Sequence, residues 1–236
     1  MTESQNQPSK APNSDMTEPD LLIAARDLIR TGEYRAAVDQ LMAGLAELPI
    51  EFHPKAYQYA GLAFCFNREW AEAFGYFTVA AQGSEVPEDW FNIAMAQVKM
   101  GYPAGGLQTW QKVFNLSYAH PEASETSTFF QKKLIFAQAL RDAGACDPVG
   151  LDLLERQLMG FYTHHHSTDA HTWGVRGVPQ FFEVLDTTRD YYRLMGRPLE
   201  DWTALCDRVA SAVDAEGKEY CAQVRGSLDK VPARSR

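Results

Sequence analysis

Gly32-Glu33-Tyr34-Arg35-Ala36-Ala37-x3-Leu41 returns as Arg68-Glu69-Trp70-Ala71-Glu72-Ala73-x3-Phe77 and once more as Gly101-Tyr102-Pro103-Ala104-Gly105-Gly106-x3-Trp110. Each copy has a turn, then a small residue, then a large apolar residue one helical turn further on. The small residues Ala37, Ala73 and Gly106 lie 36 and 33 positions apart. The stretch before each copy also repeats: Leu21-x2-Ala24-Ala25-x2-Leu28, Tyr57-x2-Ala60-Gly61-x2-Phe64 and Trp90-x2-Ile93-Ala94-x2-Gln97. Apolar residues at i, i+3, i+4 and i+7 predict helices, so each unit is a helix pair. Two helices approach closely only where the crossing carries Ala or Gly, and the large residue one turn on fills the space beside it.

Working outward, over residues 127–162 the pattern decays but stays helical. Phe129, Phe130, Leu134, Ala137 and Leu140 lead to a stop at Asp142-Ala143-Gly144, and Leu151, Leu154, Leu158 and Phe161 follow after Pro148. We expect these to form a degenerate fourth unit. The polar segment 163–179, THHHSTDAHTWGVRGVP, reads as an extended loop. Three further helices are expected over 180–228, the second starting at Pro198, and they would cap the core. Residues 1–17 are rich in Ser, Asn, Gln and Pro with no apolar run, which predicts a disordered tail; 229–236 form a short basic tail. The expected fold class is therefore all-α: a helical solenoid over 18–162 with a C-terminal helical cap.

The pattern resembles the tetratricopeptide repeat (TPR) family, which uses the same aromatic or Leu, small-residue, turn-glycine and Ala-x3-aromatic positions. That resemblance implies a protein-binding scaffold with no catalytic role, its first helices lining a concave groove that receives a partner peptide or helix. Carried over residue by residue, the groove face would be Leu22, Arg26 and Ile29, then Gln58, Leu62 and Cys65, then Phe91, Met95 and Val98. The apolar character of Phe91 and Met95 predicts a mainly apolar partner segment. One TPR subclass clamps a C-terminal carboxylate with Lys and Asn. Lys55 and Asn92 match those types, whereas Leu22 and Arg26 stand where the first unit would need them, so the clamp pattern is incomplete. Over roughly residues 20–140 the chain also resembles the acidic TPR chaperones of type III secretion systems, and the C-terminal third departs from them.

The chain carries a formal charge of −9, and only its last eleven residues are net positive. Without a basic stripe, neither nucleic acid nor an anionic membrane surface is an expected partner. No secretory h-region or membrane-length apolar run is legible, so a cytoplasmic protein is expected. Cys65, Cys146, Cys206 and Cys221 show no paired spacing and read as reduced thiols.

Catalytic templates fail by inspection: there is no phosphate-loop Gly-Lys-Ser/Thr, no G-x-S-x-G and no H-E-x-x-H. No enzyme activity and no cofactor are expected. One dense cluster of metal-capable side chains, His164, His165, His166, Asp169 and His171, leaves a metal-binding or metal-dependent alternative, although no Cys or Glu lies at a standard ligand offset. The oligomeric state is open.

Overall fold

The computed structural model describes residues 17–119, 127–175 and 177–229, and among them no strand forms. The expected tails at 1–17 and 229–236 lie almost wholly outside the described residues.

Six α-helices cover residues 20–119: α1 (Asp20–Thr31), α2 (Tyr34–Gly44), α3 (His53–Phe66), α4 (Trp70–Ala80), α5 (Pro87–Lys99) and α6 (Pro103–Ala119). The α1–α2 turn is made by Gly32 at φ +88°, where the Gly32 and Glu33 amides donate to Ile29 O and Leu28 O and satisfy the last carbonyls. Gly101 makes the α5–α6 turn at φ +84°, and in the middle unit Arg68 takes the same left-handed conformation at φ +62°. Successive turns are joined by an Arg35–Glu69 ion pair.

The small residues sit at tight contacts. Ala37 and Ala73 are fully buried. At Gly106 a Cβ would run into the Val98 side chain and lie 3.0 Å from the Ala94 carbonyl oxygen of α5. Neighbouring helices pack in sequence order from α1 to α6, with α1 also touching α3.

Helix α7 (Ser127–Asp142) packs on α5, and α8 starts at Pro148–Gln157 on α7. Asp147 caps α8 by accepting from the Gly150 amide at 2.8 Å. After Gln157 the helix runs on through a π-turn at Leu158–Tyr162 and ends at Thr163–His165, where His166 stands at φ +52°. The last elements are α9 (Ala170–Val175), α10 (Phe181–Leu194), α11 (Leu199–Ala210) and α12 (Ala215–Val224). The three C-terminal helices expected from the sequence are α10, α11 and α12; α10 packs on α7 and α8, and α12 on α10 and α11.

The 163–179 segment departs from the extended loop expected of it. Thr163–His165 and Ala170–Val175 are helical, and Thr168, Trp173 and Val178 are buried. The reason lies in partners distant in sequence. Thr168 donates through its amide (2.5 Å) and hydroxyl (2.6 Å) to the Asp214 carboxylate, which also caps α12 through the Gly217 amide. Burial alone would push the Asp214 carboxyl upward, but these bonds outweigh it and hold the group below the usual aspartate value. The His166 ring is hydrogen-bonded to Ala212 O at 2.7 Å, and Trp173 packs its ring on Phe161 and His165.

Two apolar cores result. One fills α1–α4 and takes Ile93 and Ala96 from α5; the other takes Phe91, Ala94 and Val98 from α5 and runs through to Val224. Helix α5 is the seam between them, and Trp90 touches both.

Candidate functional site

An open groove of about 780 Å³ runs between α3 and α5, with Val86 and Ala80 also lining it. Helix α3 presents Lys55, Gln58, Tyr59 and Leu62 to it at i, i+3, i+4 and i+7, one continuous helical face. Helix α5 presents Glu88, Asp89 and Asn92 from its first two turns. Pro87 starts α5, and the first-turn carboxylates suit the positive end of its dipole.

The polar groups fall into two sets. Some are engaged internally: Asp89 accepts from Gln58 Nε2 (3.2 Å) and from Ser84 Oγ (2.6 Å), and Glu88 pairs with Lys132 Nζ of α7 at 2.5 Å. Tyr59 donates its hydroxyl to Glu18 at 2.9 Å, and Arg26 pairs with the other oxygen of the same carboxylate at 2.7 Å. The Tyr59 hydroxyl is pushed above the usual tyrosine range, first by burial and then by this carboxylate. Others remain unengaged: neither the Asn92 carboxamide nor the Lys55 ammonium, 5.0 Å over the Tyr59 ring, has a hydrogen-bond or ion-pair partner among the described residues. An apolar strip of Leu62, Tyr59 and the half-exposed Val86 lies beside these two groups.

Of the nine residues expected on the groove face, Gln58 and Leu62 line it, and Arg26 stands at its edge through Glu18. Ile29, Cys65 and Met95 are partly buried against the two cores. Leu22 (0% exposed) and Val98 (1%) are core residues, which corrects their assignment to the groove face. Phe91 (9%) is corrected in the same way: its ring meets Trp110 edge-on at 6.1 Å, under the Lys132 ammonium. The physical cause is the aromatic stack of Trp110 with Phe129 and Phe136, which draws Phe91 inward and turns Glu88 and Asn92 toward the groove. Tyr59, Glu51, Glu88 and Asp89 were not expected there; on α3 the signal is present, since Tyr59 lies four positions after Lys55 and three before Leu62 on one helical face.

None of the four cysteines lines the groove. Burial pushes the Cys65 thiol up to about 12, Cys221 to about 12 and Cys146 to about 11, and it raises Cys206 further, so all four stay protonated at neutral pH. Among the described residues no group of three His, Cys, Asp or Glu side chains is placed to hold a metal ion. No described helix is long and apolar enough to cross a membrane. Compared with known proteins, the chain matches no protein-family model and no curated protein sequence.

Proposed function

We propose that this chain is a non-catalytic protein-interaction scaffold of tetratricopeptide-like build. In this reading α1–α2, α3–α4 and α5–α6 are three units of a short solenoid, α7–α8 is a degenerate fourth and α10–α12 cap the end. Support comes from sequence-order packing and from small buried residues at corresponding places in each unit.

The groove between α3 and α5 holds the partner. The observation that carries this is the pairing of unengaged amide and ammonium groups, Asn92 and Lys55, with the apolar strip of Leu62, Tyr59 and Val86 in one open concavity. Asn92 can both donate to and accept from a peptide unit, Lys55 can donate to a carbonyl or carboxylate, and the strip takes an apolar side chain. The occupant is thus an extended or helical protein segment bearing an apolar anchor beside exposed main-chain acceptors.

The test is affinity capture with wild-type protein, with Lys55→Ala/Asn92→Ala and with Leu62→Glu, using Glu72→Ser on α4 as a control. Loss of charge-assisted and amide hydrogen bonds weakens binding by about 10-fold or more. A partner retained equally by all four proteins would place the binding surface elsewhere.

A further inference from the structure

The chain enters its first helix along the wall of the α3–α5 groove. Glu18, just ahead of α1, has both carboxylate oxygens engaged there: Oε1 accepts from the Tyr59 hydroxyl at 2.9 Å, and Oε2 pairs with Arg26 at 2.7 Å. Tyr59 lines the groove, so the stretch ahead of Glu18 starts from a point fixed on the groove itself. A segment tethered so closely is present at an effective concentration of about a millimolar, and a modest intrinsic affinity then suffices for occupancy. Reach is ample. Lys10 lies eight residues before Glu18 and can extend about 26 Å from it, whereas Glu51 is about 12 Å from Tyr59 at the rise of a helix.

The chemistry of that stretch matches the groove in three ways. Pro8 and Pro12 carry no N–H and disfavour a helix across Pro8-Ser9-Lys10-Ala11-Pro12, which leaves carbonyls to accept from Asn92 and Lys55. The proline rings are apolar, as is the strip of Leu62, Tyr59 and Val86. Lys10 is the one charged residue between Glu3 and Asp15, and carboxylates outnumber cations on the lining, with Glu51, Glu88 and Asp89 against Lys55. Glu88 already pairs with Lys132. Asp89, however, accepts from the neutral donors Gln58 and Ser84, and Glu51 has no partner among the described residues.

We propose that residues 8–12 of this chain occupy the α3–α5 groove in cis, with carbonyls on Asn92 and Lys55, a proline ring on the apolar strip and Lys10 toward Asp89 and Glu51. A partner in trans then competes with the protein's own N-terminal stretch. This rests on reading the groove as the binding site.

The experiment puts the photo-crosslinking residue p-benzoylphenylalanine in place of Ser9 in the full chain, irradiates it in dilute solution and maps intramolecular adducts by mass spectrometry. Adducts are expected on residues 51–62 and 86–92. Lys55→Ala/Asn92→Ala, Glu18→Ala and Lys10→Glu should each lower their yield several-fold, as should an excess of synthetic peptide 1–17. Adducts scattered over the surface or gathered on other helices would overturn the proposal, as would a yield indifferent to all three variants. Partner capture separates this inference from the reading beneath it: Lys10→Glu should capture several-fold more than wild type. Groove adducts together with capture that ignores Lys55→Ala/Asn92→Ala would sink the partner site and uphold the cis occupant. Groove-dependent capture without groove adducts would do the reverse.

Discussion

The α1–α4 core and the core that runs from α5 and α6 through to α12 are built by opposite means. The first is made of small residues at helix contacts: Ala25, Ala37, Ala56, Ala60, Ala63 and Ala73 are all fully buried, and a Cβ at Gly61 would meet the Phe77 ring at 2.6 Å. Backbones approach closely there, and few large side chains are needed between them. The second is made of large rings and polar groups buried with them. Trp110, Phe136, Tyr162, Phe181, Tyr191 and Trp202 are each at most 1% exposed, alongside Thr187, Thr188 and Arg189. Tyr191 donates to Ala137 O (2.8 Å) and Trp202 to Val224 O (3.1 Å), so these rings also fasten one helix to another. The first region leaves little room for added volume at these contacts, and the second is tied together by buried polar partners.

The sharpest way to break this contrast is Asp186→Ala. Asp186 pairs with the buried Arg189 at 3.2 Å and accepts from the Tyr220 hydroxyl at 2.9 Å, while Arg189 Nη1 already lacks a partner. Removing the carboxylate leaves a buried guanidinium uncompensated and should cost about 3 kcal/mol, read as a lower denaturant midpoint. A loss below about 0.5 kcal/mol would show that solvent serves Arg189 and that the network is dispensable.

In the other region Ala73→Leu adds volume where there is none and should destabilise by about 2 kcal/mol in the same assay. An unchanged midpoint would mean that α3 and α4 are not held by a tight crossing at this point.

A smaller effect of opposite sign is expected at Arg68, the one non-glycine among the three equivalent turns. Glycine removes the left-handed strain of an L side chain, so Arg68→Gly should raise stability by about 1 kcal/mol. A melting temperature equal to or below that of wild type would show that the Arg68 side chain contributes more than its backbone costs.

The smallest signal is pH-dependent. Burial, and secondarily Arg156, lower the Lys133 ammonium to about 8 from its ordinary 10.5, with Asp152 opposing. Between these values the unfolded chain holds a proton that the folded chain has released, so stability rises with pH across that window. The cost of the desolvated ammonium is present in full below pH 8. Lys133→Met should therefore be more stable than wild type at pH 7, with the gap closing toward pH 10.5. A constant gap over that range would show that Lys133 is well solvated.

The two regions also differed in how far they could be read. The helix pairs of α1–α6 were legible because glycine turns, Ala crossings and i, i+3, i+4 periodicity are local signals, each enforced within a few residues. The same holds for α10–α12, announced by Gly196, Pro198 and their apolar stripes. The 163–179 segment was misread because what orders it, the Asp214 carboxylate and Ala212 carbonyl, lies some 46 residues away. On the groove, Gln58 and Leu62 lie on the lining face of α3, and Cys65, expected beside them, does not. Phe91 and Val98 were misplaced because a helix with apolar residues on several sides has no single legible face.

By itself, then, the sequence determined the helices α1–α6 and α10–α12 and the turns between the early pairs, because these depend on conformational preference and period; the helical pieces of 163–179 it did not determine. Only the tertiary structure decided how α5 is rotated about its axis, and so whether Phe91 or Asn92 faces the groove. That choice depends on the competing hydrophobic pull of two cores, and on the Trp110, Phe129 and Phe136 stack that outweighs the other side.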